Sequence, residues 1–145
     1  ERLRALLAEV ARAQPLLRAP IRRPFGLLPP VYRTDLAARA TLPRIEVHER
    51  EAGPDGPDRA VPEPIQARLN DRLDGRHGDL LRCDVVRWNG GAAGSDVAFT
   101  WLHMLLDGSG SERFVRWLDE VGRGARRADQ LPEEAEARTA WSSSL

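Results

Sequence analysis

The stretch "WLHMLLDGSG", residues 101–110, places side chains that can do chemistry inside an apolar run. The imidazole of His103 comes four residues before Asp107, which Gly108 follows. A neutral imidazole can act as a general base near neutral pH, and a carboxylate can cap a helix or pair with an arginine. The residues alone leave two interpretations of His103 open: a buried base, or a satisfied core histidine on an apolar strand.

Two predicted strands position this histidine. Residues 80–88 ("LLRCDVVRW") and 97–105 ("VAFTWLHML") are apolar, and the glycine-rich "NGGAAGSD" joins them, which predicts an antiparallel hairpin. Alternation along the second strand puts His103 on the same face as Phe99 and Trp101. We therefore expect His103 at the C-terminal end of a hydrophobic strand, directly before a turn to a helix.

Three helices with apolar residues at helical spacing are predicted at residues 1–13, 62–75 and 110–124. Pro15 ends the first of them. Asp107 and Gly108 form the turn before the third, where Gly108 supplies backbone freedom and Ser109 or Ser111 is the expected N-cap. Asp107 itself is the alternative cap.

The remaining segments complete an α+β layout. Residues 44–51 ("RIEVHERE") alternate apolar and polar positions, which predicts a half-buried strand. Residues 16–35 hold four prolines and are expected to be extended or at a sheet edge, and residues 52–60 are expected to form a loop. We interpret residues 1–145 as one domain, in which residues 124–145 form a linker or a tail.

Composition narrows the class of protein. The 22 basic and 22 acidic residues give a formal net charge of zero, which argues against nucleic acid or an anionic membrane as partner. Apolar runs stay well short of the roughly 18 residues of a membrane span. The basic residues are all arginine, so a catalytic or phosphate-loop lysine is excluded. Cys83 is the only cysteine, which excludes an intramolecular disulfide and fits a cytoplasmic protein.

Other chemistries find less support in the sequence. His48, His77 and His103 fall on separate predicted elements, so we expect no metal site. A nucleophile elbow, a Walker motif and dinucleotide-binding glycine spacing are missing. The arginine-rich residues 122–129 could contact a phosphate of coenzyme A, although a solvated helix end is the simpler interpretation.

The pattern His-x-x-x-Asp-Gly at a strand-to-helix junction resembles the signature of the condensation-domain and chloramphenicol acetyltransferase superfamily. This group also includes plant acyltransferases and wax-ester synthase/diacylglycerol acyltransferases. Condensation domains carry His-His-x-x-x-Asp-Gly, and here Leu102 replaces the first histidine, as in branches that use a single one. Upstream, "PLLRA" resembles a family segment whose arginine, matched here by Arg18, pairs with the motif aspartate. The resemblance covers nearly the whole chain.

The resemblance implies both a fold and an activity. The fold would be a two-layer α/β sandwich with a mostly antiparallel sheet, the chain corresponding to the N-terminal half of a two-half acyltransferase. His103 would be the general base that removes a proton from the acceptor as it attacks an acyl thioester. Asp107 would have a structural role in an ion pair with Arg18, and Gly108 would form the turn.

The resemblance also implies co-substrates and partners. The donor would be acyl-CoA or the phosphopantetheine thioester of an acyl carrier protein, with no bound cofactor, and the acceptor a small molecule or a lipid. A C-terminal half or a second protomer would complete the tunnel. Since the sequence begins without methionine, we expect a processed chain or part of a longer one. The alternative is a non-catalytic binding or scaffold domain on the same fold.

Overall fold

The computed structural model describes residues 1–26, 28–52, 62–90 and 94–131. Short 3-10 turns connect the regular elements. In chain order these elements are helix α1 (Arg2–Ala13), strands β1 (Ile21–Arg22), β2 (Val31–Tyr32) and β3 (Arg44–Glu51), helix α2 (Glu63–Arg68), strands β4 (Leu81–Asn89) and β5 (Gly94–Trp101), and helix α3 (Gly108–Gly122).

A three-stranded mixed sheet, in the order β3-β4-β5, carries the core. β4 and β5 pair antiparallel, which confirms the predicted hairpin, and β3 has the predicted bounds. β3 pairs parallel with β4, which the sequence did not reveal. A parallel neighbour requires a long crossover connection, and the segment between β3 and β4 contains α2. Helices with two small sheets confirm the α+β class.

The proline-rich segment forms the second sheet, an antiparallel pair of the two-residue strands β1 and β2. Ile21 lies opposite Tyr32, and the amide of Arg33 donates to the carbonyl of Pro20 over 2.8 Å. Proline lacks an amide donor, so strands in such a segment stay short and at an edge. The expectation of an extended segment is confirmed in these two strands.

The helices α1 and α3 pack on one face of the three-stranded sheet. Alternate residues of β4 point to this face and pack against the buried side chains of the two helices. The core contains Leu7, Val10 and Ala11 from α1, Leu81 and Cys83 from β4, and Phe114, Trp117, Leu118 and Val121 from α3. The rings of Phe99 and Phe114 meet edge to face with centroids 5.8 Å apart. The helical spacing of the apolar residues thus corresponds to the side that each helix buries.

The opposite face of β4 is covered as well, so this central strand is buried on both sides. Val86 is buried there together with two charged residues, Arg82 and Asp84. The guanidinium of Arg82 donates through Nη2 to the carbonyl of Arg68 at the end of α2, over 2.7 Å. The short helix α2 therefore lies over the charged side of the strand.

The predicted helix over residues 62–75 is shorter in the structure and ends at Arg68. The carboxylate of Asp74 accepts a hydrogen bond from the amide of Arg76 and caps a separate 3-10 turn, Gly75–His77. Aspartate side chains that hydrogen-bond to nearby backbone amides, and glycines that adopt left-handed backbone, favour such turns over a continued helix.

The residues after α3 pack against the body of the fold. Ala128 is buried. The indole of Trp117 donates to the carbonyl of Gln130 over 2.9 Å, and the side-chain amide of Gln14 donates through Nε2 to the carbonyl of Ala128 over 3.0 Å. Residues 124–131 therefore belong to the packed structure. The rest of the predicted linker or tail, most of the predicted loop at 52–60 and the middle of the β4–β5 turn lie outside the described residues.

Within the described ranges, every helix is too short or too polar to cross a membrane.

Candidate active site

His103 lies in a turn that follows β5. The strand ends at Trp101, and the amide of Leu102 donates to the carbonyl of Leu80 over 3.0 Å. The amide of Leu105 then donates to the carbonyl of Leu102 over 2.7 Å, and the indole of Trp101 donates to the carbonyl of Leu106 over 3.0 Å. These bonds fix the backbone on both sides of the histidine.

The prediction that His103 continues a strand over residues 97–105 is wrong, and β5 runs over Gly94–Trp101 instead. Leu102 is the last residue bonded to the chain before β4, and the indole bond of Trp101 then closes the turn. The His103 side chain is exposed rather than buried on an apolar face. It has no hydrogen bond or ion pair among the described residues, so its ring is open to a solute.

Asp107 is the N-cap of α3. Its Oδ1 accepts hydrogen bonds from the amide of Gly110 over 2.6 Å and from the hydroxyl of Ser109 over 3.2 Å. The predicted caps Ser109 and Ser111 are wrong, because the hydroxyl of Ser111 donates to the carbonyl of Gly108 over 2.6 Å. A carboxylate at this position satisfies an unpaired helix donor and complements the helix dipole.

Gly108 is the first residue of α3 and does not adopt the left-handed backbone that favours glycine. A Cβ built there would meet no atom within 4 Å. The expectation that this position needs the freedom of glycine is therefore wrong. The helix starts two residues earlier than predicted because Asp107, rather than a later serine, supplies the cap.

Arg18 lies apart from this turn. Its Nε donates to the carbonyl of Ala11 over 2.8 Å, and its Nη1 donates to the carbonyl of Ala37 over 2.7 Å. The ion pair with Asp107 implied by the resemblance is not formed. Arg18 ends the 3-10 turn Pro15–Arg18 that comes after α1. Ala11 lies in the last turn of α1, where helix carbonyls lack partners within the helix, and its carbonyl takes one donor of Arg18.

The turn that carries His103 packs against the 3-10 turn Gly75–His77 through the side chain of Leu102. A Cβ at Gly75 would lie 2.8 Å from Cδ1 of Leu102 and 3.2 Å from Cδ1 of Ile21, so a larger residue there would have to displace the ends of these side chains. A cavity of about 430 Å³ opens beside this contact. It is lined by Ile21, Arg72, Leu73, Asp74, Gly75 and Arg76.

A group of charged residues, here called the charge cluster (Glu46, His48, Arg68, Arg82 and Asp84), lies on the α2 side of the sheet, and Arg82 and Asp84 are its buried members. Nε of Arg82 donates to Oδ2 of Asp84 over 3.2 Å, and Nε2 of His48 lies 3.2 Å from Oδ1 of Asp84. Arg68 Nη1 pairs with Glu46 and lies 3.4 Å from Oδ1 of Asp84.

The charge cluster contains a set of potential metal ligands that the sequence analysis missed. One ligand atom each from Glu46, His48 and Asp84 lies within 4.8 Å of the others. Close spacing of His, Cys and Asp along the sequence does not reveal this set, because its ligands come from two paired strands, in which Glu46 lies opposite Asp84. The arginines Arg68 and Arg82 already neutralise both carboxylates, so we interpret the cluster as a structural ion-pair network.

Cys83 faces the core between α1 and α3 rather than either site. Burial, with a smaller contribution from the charge of Asp84, raises the pKa of its thiol from 9.0 to about 12. A thiol in this state is a poor nucleophile. Compared with Cys83, the exposed imidazole of His103 is the better candidate for a reactive group.

Comparisons of the chain with protein-family models, with curated proteins and with solved structures give no match. The functional assignment therefore rests on the residues and their geometry. His103 and Asp107 lie between β5 and α3, Gly108 is the first residue of α3, and Arg18 donates its hydrogen bonds elsewhere.

Proposed function

We propose that this chain is an acyltransferase of the His-x-x-x-Asp-Gly type, or the N-terminal half of one. It would transfer an acyl group from a thioester to a hydroxyl or amine acceptor, with His103 as the general base. One observation carries the proposal: an exposed imidazole lies on a hydrogen-bonded turn, between the end of a sheet strand and a helix capped by Asp107. The resemblance of the motif agrees with this placement.

In the proposed reaction, a ring nitrogen of His103 takes the proton from the acceptor O–H or N–H. The acceptor oxygen or nitrogen forms a bond to the thioester carbonyl carbon, and the carbon–sulfur bond then breaks. The leaving thiolate takes the proton back from the imidazolium, so the base is restored. Asp107 is a positioning residue in this scheme, because its cap fixes the helix that follows the histidine turn.

The exposure of His103 indicates that a further surface completes the site. Acyl transfer competes with hydrolysis, so water must be excluded around the thioester. We propose that a C-terminal half or a second protomer supplies this cover, and that the sandwich of the acyltransferase superfamily is the complete fold. The proposed location is the cytoplasm, since the only cysteine is a free buried thiol.

The test is thiol release from a panel of acyl-CoA thioesters and acylated carrier proteins, with pooled alcohol and amine acceptors. The full polypeptide that the gene encodes is compared with its His103→Ala and Met104→Ala variants. Met104 is exposed on the same turn, so its truncation controls for disturbance of the turn. We expect acceptor-dependent release that falls by at least about a hundredfold in His103→Ala only.

Release that is indifferent to His103 would refute the general base. Absence of any acceptor-dependent release across both donor types would instead favour the alternative, a non-catalytic binding or scaffold domain on the same fold.

A further inference from the structure

The connection between β1 and β2, here called the hairpin tip (residues 24–26 and 28–30), carries apolar side chains in solvent. Phe25 is 92% exposed, the most of any large hydrophobic residue in the described ranges, and Leu28 is 50% exposed. At the base of the tip, exposed Val31 lies opposite Arg22 across the hairpin. Exposed apolar side chains that gather in one place, rather than singly, indicate an interaction surface.

The backbone of Phe25 makes this exposure more unusual. Its φ of 53° is left-handed, and no other described residue except glycine has a positive φ. Such a conformation is costly for a residue with a large side chain, and it persists where a function requires it. Packing within the chain does not account for it, because a ring that is 92% exposed contacts almost nothing.

The hairpin tip offers few free backbone donors. Pro24, Pro29 and Pro30 have no amide hydrogen. The amide of Gly26 donates to the carbonyl of Arg23 over 3.2 Å, and the amide of Leu28 donates to the carbonyl of Pro24 over 3.3 Å. Unpaired amides make the transfer of a loop from water to an apolar medium costly, so this tip can leave water more easily than an ordinary loop.

The charges around the hairpin tip are positive. Between Glu9 and Asp35 the sequence has no acidic residue and five arginines, which are Arg12, Arg18, Arg22, Arg23 and Arg33. Arg22 and Arg23 are exposed directly before the tip. The net charge of zero for the whole chain therefore conceals a local excess, and the argument from net charge against an anionic membrane does not apply to this surface.

Carboxylates close to the base of the hairpin are already paired. Asp35 pairs with Arg33 at 2.6 Å. Asp74, which lines a cavity together with Ile21, accepts a hydrogen bond from Nε of Arg76 over 3.3 Å. These contacts leave the positive charge beside the tip in place.

Other exposed apolar side chains of the described chain lack this setting. Each of the following has an acidic residue within three positions along the sequence: Val47, Leu69, Val97, Met104 and Val115. An acidic neighbour opposes contact with an anionic surface. The combination of exposed apolar side chains with positive charge alone thus distinguishes the segment that contains the hairpin tip.

We propose that the hairpin tip binds the surface of an anionic lipid bilayer. Phe25 and Leu28 enter the boundary between headgroups and acyl chains, and Arg22 and Arg23 contact the lipid phosphates. A bilayer provides an apolar region without a complementary pocket, which suits side chains on a narrow connection better than a protein interface does. The inference is independent of the proposed reaction, since none of these residues belongs to the histidine turn.

The first experiment measures binding of the full polypeptide that the gene encodes to vesicles, by sedimentation. One set of vesicles is phosphatidylcholine, and the other contains about one third phosphatidylglycerol in phosphatidylcholine. We expect binding to the anionic vesicles to be about tenfold tighter and to weaken as salt is raised. Equal binding to both sets, or no binding to either, would overturn the proposal.

The second experiment removes the apolar side chains. Phe25→Asn keeps the backbone accessible, because asparagine tolerates the left-handed region, and Leu28→Asn is its companion. Leu69→Asn is the matched control, since Leu69 is exposed at the end of α2. We expect Phe25→Asn to bind the anionic vesicles roughly tenfold more weakly or worse, and Leu69→Asn to bind as the wild type does. Equal losses in both would overturn the assignment to the tip.

The third experiment removes the positive charge. The double variant Arg22→Gln, Arg23→Gln should lose about tenfold in affinity for the anionic vesicles and should bind phosphatidylcholine as the wild type does. Arg116→Gln, a change at an exposed position of α3, is the control and should have little effect. A loss of the same size in Arg116→Gln would show general attraction to arginine and would contradict a local site.

Insertion of the tip is read directly with Phe25→Trp and vesicles that contain brominated lipid, which quenches indole fluorescence. The chain already has four tryptophans, so the wild type and Leu69→Trp are measured beside it. We expect additional quenching in Phe25→Trp only, and its absence would overturn insertion. If vesicles do not bind and ultracentrifugation shows a dimer that Phe25→Asn dissociates, the tip belongs to an interface between two copies and the lipid proposal fails.

Discussion

Asp84 and Arg82, two residues apart on β4, form an ion pair of 3.2 Å in which the side chains are only 1% and 2% exposed. Residues two positions apart share a face of a strand, and β4 is the central strand of its sheet. Both charges are therefore removed from water at the same place. Such charges are tolerated only when each keeps its partner.

Asp84→Ala is expected to reduce the free energy of unfolding by roughly 3–5 kcal/mol, because it removes the nearest carboxylate from the buried guanidinium of Arg82 and leaves only Asp71, 3.9 Å away, as an acidic partner. Urea denaturation followed by circular dichroism measures the change. Asp129→Ala, which breaks the exposed pair with Arg127, is the matched control and should have little effect. The double variant Arg82→Met, Asp84→Leu should be less damaging than Asp84→Ala alone, and a larger loss would contradict this account.

Arg18 and Asp107 are expected to contribute to stability independently. Arg18→Ala removes donors from the carbonyls of Ala11 and Ala37 and should cost about 1–3 kcal/mol. Asp107→Ala removes the cap of α3 and should cost about 0.5–2 kcal/mol.

A double-mutant cycle on Arg18 and Asp107, read by urea denaturation, should be additive within about 0.5 kcal/mol. A coupling energy clearly above this value would instead show the direct ion pair that the family resemblance implies.

Gly78→Ala is expected to be far more destabilising than Gly124→Ala. Both glycines have left-handed backbone, with φ of 82° and 74°, so both variants incur a conformational cost of roughly 1–2 kcal/mol. A Cβ at Gly78 would also lie 2.4 Å from the carbonyl oxygen of Arg18, whereas Gly124 faces open space. Thermal unfolding of both variants should show a difference of about 1–3 kcal/mol, and equal losses would contradict the close contact.

Cys83 should make the folded state less stable at high pH. Between pH 9 and 12 the thiol ionises in the unfolded chain, while the folded state keeps its proton because the pKa is raised to about 12. The unfolded state then binds fewer protons, so the free energy of unfolding falls with pH, by up to about 1.4 kcal/mol per unit. In urea denaturation across this pH range, the free energy of unfolding should fall less steeply for Cys83→Ala than for the wild type. Parallel curves for the two proteins would refute the raised pKa of Cys83.

Patterns that depend on neighbouring residues predicted their elements well. The alternation of residues 44–51 matches β3, and the leucine spacing of residues 1–13 matches α1. The repeat of the strand or the helix alone determines which of its side chains point to the core. The hairpin also followed from the glycine-rich link between its strands. These features need no information about the rest of the chain.

Features that depend on distant partners were missed. The strand with His103 ends early because the indole of Trp101 bonds to Leu106 and closes a turn, which apolar composition does not signal. Arg18 donates to the carbonyls of Ala11 and Ala37 instead of pairing with Asp107. The parallel pairing of β3 with β4 depends on how the connection between these two strands packs. A signal for the charge cluster did exist, since Arg82 and Asp84 interrupt an apolar strand at alternate positions.

The parallel pairing of β3 with β4 also sets an order of events during folding. The β4–β5 hairpin joins neighbours along the chain, so its contacts form after the closure of a short loop. β3 reaches β4 only when the longer connection that contains α2 has been closed, and this entropy is lost before any contact compensates for it. We expect the hairpin to form the nucleus and β3 to join late. The chain would then remain for a time with one edge of β4 open to pairing with another molecule.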